Sequence, residues 1–168
     1  MSHPKLASVR QRYHHACGYC SVTETTVGSE LTIDHYRPRK AGGGEDENNL
    51  VYACVKCNQY KGEFWPDDED LALGRRVLHP VFDDLTAHVS ENEQIGRVDA
   101  LSETGRFHIA LLRLNRPQLI EHRLVHRIQT LLREKQLLLE RQNEELRKTI
   151  EAQERYIALL EAQLKELN

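Results

Sequence analysis

The sequence predicts an α+β fold ending in a long helix, on three observations. Two CxxC pairs, Cys17 with Cys20 and Cys54 with Cys57, contain every cysteine of the chain. Between them lie two short apolar segments bounded by turn residues, 31–36 and 50–53. From 118 to 167 there is neither Pro nor Gly, so nothing interrupts a helix. The expected organisation is a small cysteine-stapled unit over residues 1–76, a hairpin and helix extension packing on it over 77–116, and a long coiled-coil helix over 117–168.

The totals narrow the setting. With 168 residues, 29% of them charged, and a mean hydropathy of -0.62, the chain has no apolar run near the ~20 residues that span a bilayer, so no membrane role is expected. The N-terminal MSHPKLASVRQRYHHA lacks the apolar core of a signal peptide, which points to the cytoplasm. In a reducing compartment two CxxC pairs read as metal ligands rather than disulfides. A net charge of -3 argues against coating nucleic acid by bulk electrostatics. The charge is segregated, however: Arg37, Arg39, Lys40, Lys56 and Lys61 lie between or beside the cysteine pairs, and Asp67, Asp68, Glu69 and Asp70 follow them.

Along the chain, Leu6, Val9, Tyr13 and Ala16 fall at helical spacing and predict a short helix over 5–16. Its Arg10, Arg12, His14 and His15 either touch phosphate or line a solvated face. Gly18 suits a tight loop whose amides point at thiolates. Residues 31–36 alternate as a strand that Pro38 ends, placing Asp34 and His35 at its tip. The Gly42-Gly43-Gly44 run predicts a mobile loop. Residues 50–53 form the partner strand, and 54–61 a knuckle entering a helix with Asn58 and Lys61 on one face. Residues 63–76 read as an acidic loop. Apolar pieces at 86–89 and 95–101, separated by the polar SENEQ, predict a hairpin. His79, Asp83, Asp84 and His88 lack a ligand spacing and read as a surface loop. Ser102 to Gly105 start a helix, and Pro117 fits the first position of the next.

A continuous helix from 118 to 167 would extend ~75 Å at 1.5 Å per residue. One heptad register places Val125, Leu132, Leu139, Leu146, Leu160 and Leu167 at one core position, with Gln153 interrupting. Gln129, Gln136, Asn143, Ile150, Ile157 and Leu164 fall at the other. This pattern predicts a homodimer through 118–168 over docking of a different protein. Its second half resembles a two-stranded parallel coiled coil whose register Asn143 would fix, and an antiparallel hairpin is the rival, for which 118–167 supplies no turn signal. Ile128, Leu131 and Leu138 form an extra stripe expected to pack on a preceding or third element.

Zinc takes four thiolates at tetrahedral corners, and each CxxC turn supplies two. Cys17, Cys20, Cys54 and Cys57 therefore predict a structural zinc. Four sulfurs close its shell, so any chemistry lies elsewhere. Phosphodiester hydrolysis needs a base, a hard cation and groups that hold the backbone. His35 can serve as the base. Asp34 and Asn58 offer oxygen ligands suited to Mg²⁺ or Mn²⁺. Lys61 and the Arg37, Arg39, Lys40 group can hold phosphate. Taken singly each residue has a bland explanation, and their order between the two cysteine pairs is what carries the reading.

CGYC, TIDHYRPRKAGG, ENNL and ACVKCNQYKG together resemble the HNH endonucleases, the ββα-metal or His-Me finger nucleases, in their zinc-bound treble-clef form. The likeness covers residues 17–62. It implies that His35 is the general base, that Asp34 and Asn58 are ligands of the catalytic cation, and that Asn49 braces the loop carrying His35. Asn48 is adjacent and leaves a one-residue ambiguity. Asn58 stands where many members have a final His, which favours Mg²⁺. HPVFDD, the hairpin and LLRLNRP are similar to extensions on some bacterial HNH proteins associated with defence against foreign DNA. The expected function is metal-dependent DNA hydrolysis, with a further protein partner that targets or regulates it. The alternative is a non-catalytic zinc module that reads nucleic acid or protein, with the coiled coil as its scaffold.

Overall fold

The computed structural model describes residues 3–166. The chain divides into two units, one running to Val125 and the other starting at His126. In the first, helix α1 (Leu6–Arg12) is shorter than its apolar spacing suggests, because His14 and His15 adopt left-handed backbone (φ 50 and 61) that no helix continues. Its Val9 is fully buried, about 1.5–3 kcal/mol of transfer free energy for a side chain of this type. Its basic residues are spent on structure. Arg10 forms a fork with Glu24 at 2.6 Å, and Arg12 donates to Glu47 O and Asn48 Oδ1.

After a one-turn helix α2 (Glu24–Val27), strands β1 (Thr32–His35) and β2 (Leu50–Ala53) pair antiparallel, with Asp34 opposite Val51 and His35 opposite Leu50. All four β2 residues are buried, and together with the four cysteines they form the middle of one apolar cluster. Helix α3 (Val55–Lys61) follows at once, capped by Cys54, whose sulfur accepts the Cys57 amide. Gly18 does not aim its amide at a sulfur; it donates to Tyr52 O at 2.8 Å. A Cβ there would lie 2.6 Å from the Tyr13 ring and 2.9 Å from Val51, so only glycine permits this approach.

The acidic stretch after the second cysteine pair is partly helical, contrary to its reading as a loop. Asp67 caps α4 (Asp68–Ala72) by accepting the Asp70 amide at 2.8 Å, and Asp68, Glu69 and Asp70 fill the positive end of the helix dipole. The hairpin is present with a shifted register: β3 (Val89–Asn92) uses the polar residues expected to separate the strands, and β4 (Arg97–Ala100) pairs with it. Thr86 lies instead in a 3₁₀ turn. Asn115 closes the hairpin like a third strand, accepting Val98 N at 2.7 Å and donating to Val98 O at 2.8 Å. Helix α5 (Glu103–Leu111) starts at Ser102, whose hydroxyl accepts the Gly105 amide.

His79 is not in a surface loop. It is 5% exposed, with Nδ1 accepting the Val81 and Phe82 amides and Nε2 bonded to Asn48 O, and Asp83 forks with Arg76. His108, also buried, accepts the Leu78 amide on Nδ1 at 3.0 Å. Burial lowers its pKa to about 4, with Asp83 opposing and Arg76 and His88 assisting. A folded pKa below the unfolded ~6.5 gives stability that is present above 6.5 and lost as pH falls toward 4, about 3 kcal/mol in all. Acid also strips thiolates from zinc, so the useful quantity is a difference. His108→Gln, which keeps an acceptor and cannot titrate, is expected to lose clearly less stability than wild type in denaturant melts between pH 6.5 and 5.

Helix α6 (Pro117–Glu166) is one continuous element of 50 residues with Pro117 as its first residue. Leu119 is buried in the first unit, where Arg123 donates to Gly96 O and Leu114 O. In the second unit the heptad residues from Leu132 to Leu164 are exposed, and so are Ile128, Leu131 and Leu138 of the extra stripe. Leu167 lies outside the described residues. No helix among the described residues is long and apolar enough to cross a membrane.

Candidate active site

The cysteines converge first. Cys17, Cys20, Cys54 and Cys57 are buried, and their sulfurs lie within 4.8 Å of one another. A tetrahedral zinc with Zn–S of about 2.3 Å sets its sulfurs about 3.8 Å apart, and Cys20 Sγ to Cys54 Sγ is 3.8 Å. The four residues thus fit a closed structural zinc. Arg116 was not foreseen: its Nη2 stands 3.7 Å from Cys54 and Cys57 Sγ and 3.9 Å from Cys20 Sγ. A guanidinium there offsets the negative charge of a four-thiolate centre.

Next to this staple, the pleat of β1 sends Asp34 and His35 to opposite faces. Asp34 is 5% exposed and accepts from Tyr19 OH at 2.6 Å and from Lys61 Nζ, 3.1 Å from Oδ2 and 3.2 Å from Oδ1. Lys61 also donates to His35 O at 2.7 Å. Burial pushes the Asp34 carboxyl above its usual range, against the pull of Lys61 and Tyr19. It lowers the Lys61 ammonium in the same way, against Asp34. Lys61 was expected to hold phosphate; at 2% exposure it serves Asp34 instead. Asn58 sits in the first turn of α3, its amide bonded to Cys54 O. The side-chain oxygens of Asp34 and Asn58 are hard donors of the kind Mg²⁺ or Mn²⁺ takes, and Asp34 is engaged with Lys61.

His35 carries its ring on the more open face, at the entrance to the glycine loop. Asn49 clamps that loop: Oδ1 accepts Arg37 N at 2.8 Å, and Nδ2 donates to Arg37 O at 3.1 Å and Gly44 O at 2.9 Å. Gly43 N donates to Pro38 O, and a Cβ on Gly43 would fall 1.7 Å from Arg37 O. The loop read as mobile is therefore tied down at several points, and glycine is what allows the close approach. Asn48 does something else, accepting from Arg12 and, through its carbonyl, meeting His79. Asn49→Ala leaves three backbone groups unpaired at about 0.5–1.5 kcal/mol each. It is expected to speed hydrogen exchange across 37–44, while Asn48→Ala leaves that segment near wild type.

The basic group is mostly engaged within the chain. Arg37 donates to Ala41 O and lies over the Trp65 ring at 5.3 Å. Arg39 pairs with Glu45 at 2.5 Å and Lys40 with Glu63 at 2.5 Å, both long side chains exposed. Glu45 itself, unremarked in the sequence, also meets His35 Nε2 at 2.9 Å and His3 Nε2 at 2.8 Å.

A buried Asp on one face of a strand tip, a His on the other and an Asn-clamped loop thus lie beside a four-cysteine staple. Residues 17–64 match the family model described as HNH endonuclease, and the chain carries an HNH endonuclease domain there. Over 145 aligned residues it is 28% identical to the Septu protein PtuA of Bacillus mycoides (strain KBAB4), covering 70% of this chain and 20% of that protein. The chain thus spans about a fifth of that relative's length. No solved structure matches.

Proposed function

We propose that the chain is a divalent-metal-dependent endonuclease that hydrolyses DNA phosphodiester bonds, acting in bacterial defence against foreign DNA. The observation that carries this reading is the placement of His35 at the mouth of a loop locked by Asn49, on the strand that buries Asp34. His35 takes a proton from water, whose oxygen forms the new bond to phosphorus as the bond to the 3′ oxygen breaks. Asp34 and Asn58 would hold the Mg²⁺ or Mn²⁺, which when bound would supply positive charge against the developing phosphorane and leaving oxygen. Lys61 keeps the buried Asp34 charge compensated. Lys40, exposed at the loop, exchanges its carboxylate partner for a DNA phosphate, Arg39 adds a guanidinium at the same rim while it stays on Glu45, and Arg37 shapes the loop they stand on. The products carry 5′-phosphate and 3′-hydroxyl ends. Incubation of supercoiled DNA with protein and Mg²⁺ should give nicks that a ligase reseals; nicks that resist ligation would overturn the bond assignment.

The exposed heptad residues of α6 support a homodimer through 118–168, which pairs two single-strand sites and offers a surface to a targeting protein. Removing residues 140–168 is expected to halve the mass measured by light scattering, and an unchanged mass would retire the coiled coil.

A second reading rests on the Lys61–Asp34 pair, which already satisfies the buried carboxylate and needs no metal. On that reading the domain is a zinc module that binds nucleic acid or protein without cutting. It requires that Asp34→Ala and Asn58→Ala keep biological function while Cys54→Ser loses it.

A further inference from the structure

Glu45 stands at the centre of a polar knot that the HNH reading does not use. Its Oε1 lies 2.9 Å from His35 Nε2 and accepts from Arg39 Nε at 3.0 Å and Nη2 at 2.5 Å. Its Oε2 lies 2.8 Å from His3 Nε2. Its own carbonyl accepts from Lys5 Nζ at 2.6 Å, and the Asn49 clamp on Gly44 O holds the residue before it. Hydrogen bonds from His35, His3 and Arg39 hold the Glu45 carboxyl down to about 2, so it remains an acceptor.

His3, His35 and Glu45 also lie close enough to ligate a cation, with their donor atoms within 4.8 Å of one another. The hydrogen bonds decide against that use. Lys5 N donates to His3 Nδ1 at 3.1 Å, so the lone pair of His3 is on Nδ1 and its proton on Nε2. His3 is therefore a donor to Glu45, whereas a metal-bound histidine offers one nitrogen to the ion and donates a proton from the other. Arg39 Nε–H points at both Glu45 Oε1, 3.0 Å away, and His35 Nε2, 3.3 Å away. The carboxylate takes the shorter branch, because a carboxylate oxygen 2.9 Å from Nε2 needs a proton on that nitrogen, and the guanidinium puts a further positive charge where the ion would be.

Two donors, His3 and Arg39, thus fix the carboxylate from either side, and the group assigned to proton transfer that it meets is the His35 ring. An ionised carboxylate at Nε2 selects the tautomer with the proton on Nε2 and leaves the Nδ1 lone pair for water. Nδ1 of His35 has no hydrogen-bond partner among the described residues. We infer that Glu45 is a positioning residue for His35: it fixes the Nε2–H tautomer and the ring's orientation, and the segment His3 to Lys5 holds Glu45 in place. This inference rests on the reading of His35 as the base.

The test uses zinc-loaded full-length protein and two independent readouts. The first is ¹⁵N NMR of the imidazoles near neutral pH, with the His35 ring assigned by its loss in His35→Gln. Wild type is expected to show protonated Nε2 and unprotonated Nδ1, and Glu45→Gln a mixture of tautomers. The second is steady-state cleavage in Mg²⁺. Glu45→Gln should lower kcat on the order of 100-fold, the scale of a misplaced catalytic group, with KM changed far less. His3→Ala, which removes one of two restraints, should lower kcat by a smaller factor. A His35 ring protonated on Nδ1 in wild type overturns the inference. So does Glu45→Gln cleaving as fast as wild type or faster, the latter meaning that the carboxylate plugs a phosphate site. Protein that cuts nothing yet shows the expected tautomer, lost in Glu45→Gln, supports the positioning and refutes the nuclease reading.

Discussion

His35→Ala is expected to lower single-turnover cleavage of supercoiled DNA by about 10²–10⁴-fold in Mg²⁺, the usual loss when a general base is removed. The side chain is nearly free to change without harm to the fold. Its ring sits beside the glycine loop rather than in the core, and the bond from Lys61 goes to the His35 carbonyl, which alanine retains. Asp34 keeps both Lys61 and Tyr19. The variant should therefore melt close to wild type and carry the same zinc, so that the loss belongs to chemistry. Cleavage at the wild-type rate by a folded His35→Ala would remove the base from this site.

Cys57→Ser is expected to abolish the cooperative melting of the first unit, the larger of the two effects in free energy. Cys57 is fully buried, its sulfur lies beside the other three, and the cluster lies at the centre of the apolar core with Leu50, Val51, Tyr52 and Ala53. Structural zinc supplies on the order of 10–16 kcal/mol to domains of this kind at neutral pH, comparable with a whole domain's stability. A serine hydroxyl is a far poorer ligand than a thiolate, so most of that contribution disappears. Arg116, which stands against Cys20, Cys54 and Cys57, would lose one of its three sulfur partners, which weakens one tie between the residues leading into α6 and the staple. A chelator strong enough to remove zinc should have the same effect on near-UV circular dichroism. A Cys57→Ser protein that melts like wild type would show that the core does not depend on the metal.

The parts of this structure that local pattern controls could be read from the chain. Strand 50–53 is apolar throughout because it is buried on both faces, and the paired cysteines have few other uses in a reducing cell. Asn49 was legible through its place before Leu50, and the hydrogen bonds separate it from Asn48. Other features had no local signal. Helix α4 was hidden because its start is made of acidic residues that read as solvent-exposed loop. Strand β3 belongs to an isolated hairpin with little buried surface, so its residues do not alternate and its register could not be placed. Lys61 looked like a phosphate ligand because the 27 residues separating it from Asp34 conceal the contact. His3 and Glu45 are 42 residues apart, and Arg116 is 62 from Cys54. Polar contacts at such separations follow from the fold and leave no periodicity in the sequence.

The separation of two metal roles is tested most directly by one titration. Protein carrying one zinc per chain, freed of other divalent ions, is incubated with supercoiled DNA while Mg²⁺ is raised, and its melting is followed on the same samples. The expected result is a folded, inactive protein at zero Mg²⁺ and cleavage that rises and saturates as Mg²⁺ is added, with the zinc content unchanged. Cleavage supported by the single zinc alone, or no cleavage with Mg²⁺ or Mn²⁺ in a folded protein, would contradict it.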